Sequence, residues 1–503
     1  MKTRYKWILY WIVGCMLVGT CCTKVLQKDF SGNYVLLGGE PLIFIRQNPD
    51  KSVWISYETY GPMSTQAKVV EDRIYYSFGG PTSILVMEKD GKTVSHEENG
   101  KVLSNIGRKI EDRDLWAAFL SFYQNKFVEA ESGFLKYLQI HPDDLLIQLT
   151  LTKTFIQESK IKEAKTELAK FEHNSEMESN PIYKTELLKI NYTLIGKEKS
   201  VVGQNAWDGY EEVLKLATAV PQGLPQNVYT RVYDMERHPR PLGIEEQNLI
   251  QQYIAPNMNA IQKLLSLPEK PECYITSATQ PASQSVFQSL RALGFAKAVI
   301  LYGRLQAEDG KVKEAAEAYR RVIRFGQQMM NGTIIPQLMG VAIRAIGEGG
   351  YKLLFNEGKI SRVEDAQFVY NTLKELKKQE PFTTLESVMK FEAFPEANKE
   401  ALKTFPIREQ TAETRLILLE TSAAMKLYQL KEGKSPQTLQ DLVPTYLPEL
   451  PVDTFTKNPI ILKNDPDKGI LIYSYGPDTT DDRGQILYDP TNGTISKGDL
   501  VFP

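Results

Sequence analysis

Four aspartates near the C-terminus, Asp478, Asp481, Asp482 and Asp499, stand where a chain can wrap hard oxygens around a cation. Calcium takes about six to eight oxygen ligands, which clustered carboxylates and backbone carbonyls supply together, so these residues are candidate calcium ligands. The alternative is a solvated turn, where aspartate is favoured because its side chain bonds to nearby backbone N–H groups. Other chemistry is harder to assemble. The histidines are His96, His141, His173 and His238, and no two stand at the i, i+4 spacing that puts zinc ligands on one helix face. No Gly-x-Ser-x-Gly elbow, phosphate loop or dinucleotide fingerprint opens a helix after a strand. Asp143-Asp144 and Glu211-Glu212 are paired carboxylates of the type used in acid–base catalysis, but solvated helix faces carry such pairs routinely, and they are read that way here.

The cysteines are Cys15, Cys21, Cys22 and Cys273, so three lie at the extreme N-terminus and no disulfide framework or cysteine-rich zinc site can be built. Cys273 reads as a small buried hydrophobe. Lys2, Arg4 and Lys6 precede an uncharged run from Trp7 to Thr20, the layout of a secretory signal and short for a membrane-spanning helix. Within it, Ile12-Val13-Gly14-Cys15 resembles the bacterial lipobox, and Val18-Gly19-Thr20-Cys21 is a poorer match. That resemblance implies lipidation at Cys15 and a membrane-anchored protein of the bacterial cell envelope, with the body outside the cytoplasm. The alternatives are a plain signal peptide and an uncleaved short anchor.

The elements that must position these residues belong to an ordinary water-soluble body, since hydrophobic residues are 42% and charged residues 24% of the 503-residue chain. That length predicts two to four domains. Lys plus Arg number 60 against 62 Asp plus Glu, which leaves no basic surplus for a nucleic-acid partner. The fold class expected is α+β multidomain, with segments at 1–22 (signal), 30–108 (antiparallel β), 112–408 (helical) and 411–503 (small α+β).

From Asn33 to about Glu97, short β-rich runs alternate with turns. The runs are Tyr34–Leu37, Leu42–Ile45, Val53–Tyr57, Arg73–Tyr76 and Ile84–Met87, and Gly38-Gly39, Asn48-Pro49-Asp50, Gly61-Pro62, Gly79-Gly80-Pro81 and Asp90-Gly91 separate them. This predicts an antiparallel meander that curls into a small barrel or sandwich. Helical periodicity begins near Asp112. Phe127, Ala130, Phe134 and Tyr137 have counterparts in Ile161, Ala164, Leu168 and Phe171 about 34 residues on, and Gly310 through Val322 forms a similar unit. This pattern resembles tetratricopeptide repeats, which implies antiparallel helix pairs that meet at the small residue. Ile334 to Leu354, with Ala342, Ala345, Gly347, Gly349 and Gly350, predicts a closely packed buried helix. The order from Arg304 through Leu354 resembles that of exported bacterial proteins ending in the domain that follows.

A helix from about Thr411 to Lys431 leads to Ser435-Pro436, Leu447-Pro448, Pro451-Val452-Asp453 and Tyr473-Ser474-Tyr475-Gly476-Pro477-Asp478. This order resembles the globular end of the major pseudopilin of type II secretion systems over about the last ninety residues. The resemblance implies a calcium loop in which Asp478 and Asp499 match the family pattern best. A pseudopilin starts with a prepilin-cleavage motif, and this chain does not, so a pilus subunit is not the expectation. The leading functional expectation is a non-catalytic scaffold that grips a protein or peptide partner on a helical-repeat surface. The alternatives are an accessory of a type II secretion or pilus-like assembly and a periplasmic hydrolase.

Overall fold

The computed structural model describes residues 31–36, 42–48, 52–57, 63–70, 72–77, 83–89, 92–98, 101–172, 174–175, 180–218, 241–270, 272–276, 282–331, 334–376, 404–465, 469–489 and 495–502. Cys15 and the signal-like stretch around it lie outside these residues. Among the described residues no helix is long and apolar enough to cross a membrane. The architecture is α+β and multidomain, and the chain divides into two compact units. Among the described residues, those up to Val202 together with 276 and 282–285 form one, and those within 203–275, 286–376 and 404–502 form the other.

The first unit opens with eight antiparallel strands: β1 (Gly32–Leu36), β2 (Leu42–Gln47), β3 (Val53–Tyr57), β4 (Met63–Val70), β5 (Arg73–Tyr76), β6 (Ser83–Met87), β7 (Thr93–Glu98) and β8 (Lys101–Lys109). Each pairs with the next, and β1 pairs with β8, so the meander closes into a barrel that leaves no free sheet edge. Tyr34, Ile43, Ile45, Val53, Ile55, Ile74, Leu85 and Val94 cluster in its core, as expected for a barrel too narrow for a lumen. β4, β7 and β8 had no clear apolar alternation in sequence. In β4 every second residue from Ser64 to Val70 is exposed, while Ala67 and Val69 on the other face pack against the barrel core. The β7–β8 register shifts between Val94 and Glu97, a bulge that bends the closing strand just before Arg108.

Among the described residues the helices that follow include α1 (Arg113–Tyr123), α2 (Phe127–Leu138), α3 (Leu145–Gln157), α4 (Ile161–Ala169) and α5 (Pro181–Val201). Asp112 and Asp144 begin α1 and α3 by accepting the N–H groups of Leu115 at 2.7 Å and Ile147 at 3.3 Å. Ala130 and Ala164 are fully buried, and a Cβ on Gly133 would lie 2.5 Å from the Ala118 Cβ, so α1 and α2 meet almost backbone to backbone. Outward-facing Phe44 of β2 packs edge-on against Trp116 of α1 at 5.1 Å, which joins barrel and helices in one core.

The second unit holds α6 (Trp207–Leu216), α7 (Ile244–Ile254), α8 (Met258–Ser266), most of α9 (Ala282–Glu308), α10 (Val312–Met329), α11 (Ile334–Asn356), α12 (Val363–Leu376) and α13 (Phe405–Glu432). A three-stranded antiparallel sheet completes it, ordered β11 (Leu500–Phe502), β10 (Gly469–Ser474), β9 (Ile461–Asp465). The helical stretch of 112–408 is thus divided between two units, and residues 411–503 share a core with the second set of helices. The reason is apolar continuity: Leu416, Leu418, Leu419, Leu442, Ile472 and Phe502 belong to the same buried cluster as Val322, Ile343 and Leu373.

One turn recurs four times. Asn125, Ser159, Gly310 and Gly358 adopt positive φ, between 60° and 75°, after α1, α3, α9 and α11. In each the next residue is a lysine whose N–H reaches back to a carbonyl five residues earlier: Lys126 to Ser121, Lys160 to Phe155 and Lys311 to Gln306 at 2.8 Å, and Lys359 to Leu354 at 3.0 Å. The left-handed residue satisfies the last helix carbonyls and reverses the chain into the partner helix. Asn125 and Ser159 stand 34 residues apart, the spacing read from the side-chain pattern.

Candidate functional site

A concave feature with convergent polar groups lies in the first unit. It is a cavity of about 670 Å³ lined by Thr93, Gly107 and Arg108 from β7 and β8, Tyr137 at the end of α2, the 140–146 turn, and Asn180 and Tyr183 at the start of α5. Pro142 disfavours helix at His141 and so breaks the chain between α2 and α3. His141 then folds back over the Tyr137 ring, with centroids 4.5 Å apart and planes 32° from parallel.

Asp144 does two jobs there. Its Oδ1 caps α3 and its Oδ2 pairs with Arg108. The Asp144 side chain is only 7% exposed, which corrects the sequence expectation that Asp143-Asp144 is a solvated pair: Asp143 is exposed, whereas Asp144 is drawn inward by a barrel arginine. Burial pushes the Tyr137 phenol above its ordinary value, opposed by Arg108 and aided by Asp144. The described lining includes no serine or cysteine, and its one imidazole, His141, lies tilted over a tyrosine. The groove presents aromatic and charged side chains, with Ile140, 73% exposed, on its apolar rim. Arg108 carried no local signal in the sequence, because its partner is 36 residues away.

The acidic loop lies in the second unit. Asp499 is buried at the start of β11, and its carboxylate accepts the Gly484 N–H at 2.6 Å and the Asp482 N–H at 3.4 Å. Asp481 accepts the Tyr473 hydroxyl at 3.2 Å and the Arg483 N–H at 2.8 Å. The fold therefore gathers Asp481, Asp482 and Asp499, while Asp478 closes its own turn by accepting the Thr480 N–H at 3.1 Å. Oδ2 of Asp482 is buried without a hydrogen-bond partner. Burial raises the Asp499 carboxyl to about 6, the two N–H groups oppose this, and the charges of Asp481 and Asp482 add to it. Among the described residues no group of three or more His, Cys, Asp or Glu side chains is arranged to hold a metal ion. Asp453, passed over as part of a proline turn, ties that turn to the end of β10 by accepting the N–H groups of Phe455 at 2.8 Å and Tyr475 at 3.3 Å.

No family model, curated protein or solved structure matches this chain.

Proposed function

We propose that this chain is a non-catalytic interaction scaffold, anchored in the bacterial cell envelope through Cys15, which holds an extended segment of a partner protein in the groove between barrel and helices. The observation that carries the reading is the groove itself: Tyr137 with His141 tilted over it, the paired Arg108 and Asp144, and exposed Ile140, with no serine or cysteine nucleophile in the described lining. Clefts that combine aromatic walls with a few fixed polar groups suit polypeptide backbone and side chains. Support for a tetratricopeptide-like organisation comes from the four lysine-containing turns and the 34-residue spacing of the first two.

The test is a photo-cross-linking amino acid at Ile140 in the full-length chain in intact cells. A discrete adduct with an envelope protein is expected there, and none with the same group at Val201, which is equally exposed at 73% but outside the groove lining. Equal labelling at both positions, or no adduct at Ile140, refutes the proposal.

A further inference from the structure

The groove between barrel and helices restricts what can lie in it, and the inference drawn from this rests on the reading of that groove as an interaction site. Its barrel wall is closed to strand addition. Gly107 and Arg108 of β8 are paired with Val94 and Thr93 of β7 on one side and with Leu36 and Val35 of β1 on the other. A partner added as a strand needs an unpaired row of N–H and C=O groups, and these two residues do not present one. The helical wall is committed in the same way. The Tyr137 carbonyl accepts the N–H groups of Ile140 and His141 at 3.0 Å, the His141 carbonyl accepts that of Asp144 at 3.3 Å, the Pro142 carbonyl accepts the Gln148 side chain, and the Asp144 carbonyl accepts the Gln148 N–H at 2.9 Å.

An extended segment with ordinary peptide N–H groups would bury donors here for which the main chain of either wall keeps few acceptors, and a buried donor left unmade is costly. Proline has no N–H to bury. A helix also satisfies its own N–H groups, but it docks through an apolar stripe, and the exposed apolar side chains described in the lining are Ile140 and Pro142, two residues apart on one turn. The groove does present rings: Tyr137 and Tyr183 are half-buried, and exposed His141 lies over Tyr137. Charge selects further. Asp144 is taken by Arg108 and by the cap of α3, whereas Asp143 is exposed and makes no ion pair among the described residues.

We propose that the segment held in this groove is proline-rich, that it lies against Tyr137, His141 and Tyr183 as a polyproline II helix, and that a lysine or arginine in it meets Asp143. Aromatic-lined grooves take such segments because the helix is extended before it binds and loses little entropy on docking. At about 30 Å³ per water, the cavity of about 670 Å³ holds roughly 22 non-hydrogen atoms, or about three prolines spanning ~9 Å. A charge pair at Asp143 fixes the register of the segment.

Fluorescence anisotropy with the full-length protein tests this, using dye-labelled capped peptides: a run of prolines ending in arginine, the same peptide with alanine for every proline, and the same peptide with glutamate for the arginine. The proline–arginine peptide is expected to bind saturably. Alanine removes the preset backbone of the residues held, so the alanine peptide is expected to bind about tenfold more weakly. Glutamate is expected to weaken binding by about two- to fivefold, a difference that disappears in Asp143→Asn. His141→Ala, at an exposed position, is expected to fold and to weaken the proline–arginine peptide by about three- to tenfold. Equal affinity for the proline and alanine peptides, an undiminished affinity in His141→Ala, or an arginine preference that survives in Asp143→Asn overturns the assignment. If the proline–arginine peptide does not bind while the Ile140 adduct still forms in cells, this assignment falls and the interaction reading stands; if the adduct is absent as well, both fall.

Discussion

Gly326→Ala and Gly349→Ala form an opposed pair that tests the tightest packing in the molecule. Both glycines lie inside long helices, α10 and α11, at ordinary negative φ, so alanine gains about 1 kcal/mol of helix propensity at each. Their surroundings differ. A Cβ on Gly326 would stand 2.6 Å from the Arg344 N and 2.7 Å from the Gly340 carbonyl oxygen, backbone atoms that cannot rotate aside, whereas nothing lies within 4 Å of a Cβ on Gly349. Restoring an ordinary 3.4 Å contact requires α10 and α11 to part by most of an ångström. A gap of that size forfeits about a quarter to a half of each dispersion contact across the interface. The interface includes Tyr319, which is fully buried and lies within 3 Å of Cβ positions on Gly303 and Gly350. Overpacking of this kind costs about 1–3 kcal/mol, and contact with rigid backbone puts it at the upper end, so the net change for Gly326→Ala is about 2 kcal/mol destabilising. Gly349→Ala is expected to stabilise by about 0.5–1 kcal/mol. Denaturant titration followed by far-UV circular dichroism reads the difference as midpoint shifts of opposite sign. A Gly326→Ala protein as stable as wild type would show that α10 and α11 are not in backbone contact.

Acid should act in opposite directions on two buried carboxylates. Burial alone would raise Glu186 of α5, but Lys153 and Lys189 overcome it and hold the carboxyl at about 2. Its contribution is therefore complete above the unfolded value of 4.5 and lost as pH falls toward 2. Glu186→Gln is expected to cost about 3 kcal/mol at neutral pH and far less at pH near 3, measured by hydrogen exchange in α5. Asp499 has the reverse sign: its folded value of about 6 lies above the unfolded 3.8, so its contribution is present at low pH and lost as pH rises through 6. Lowering pH from about 7 to about 5 should stabilise the β10–β11 region by about 1 kcal/mol, and that pH dependence should vanish in Asp499→Asn. A fixed difference between wild type and Asp499→Asn across the range would refute the assignment.

What the sequence determined was local. Five of the eight barrel strands were legible because β-branched and aromatic runs sit between glycine and proline turns. The paired positions around Ala130 and Ala164 were legible because a small residue must recur wherever two helices touch, and both alanines are completely buried. The stretch of small residues in α11 likewise announced close packing, although only the tertiary structure separates Gly347 and Gly350, which face Ile323 and Tyr319, from Gly349, which faces open space. Whatever depends on partners distant in sequence was decided by the fold. Strand β1 closes on β8 across the whole barrel, Asp144 is drawn inward by Arg108, and the two halves of the helical stretch join different cores. Spacing along the chain reports which face of an element is apolar. Which ionic groups meet follows from three-dimensional proximity that short-range periodicity does not encode.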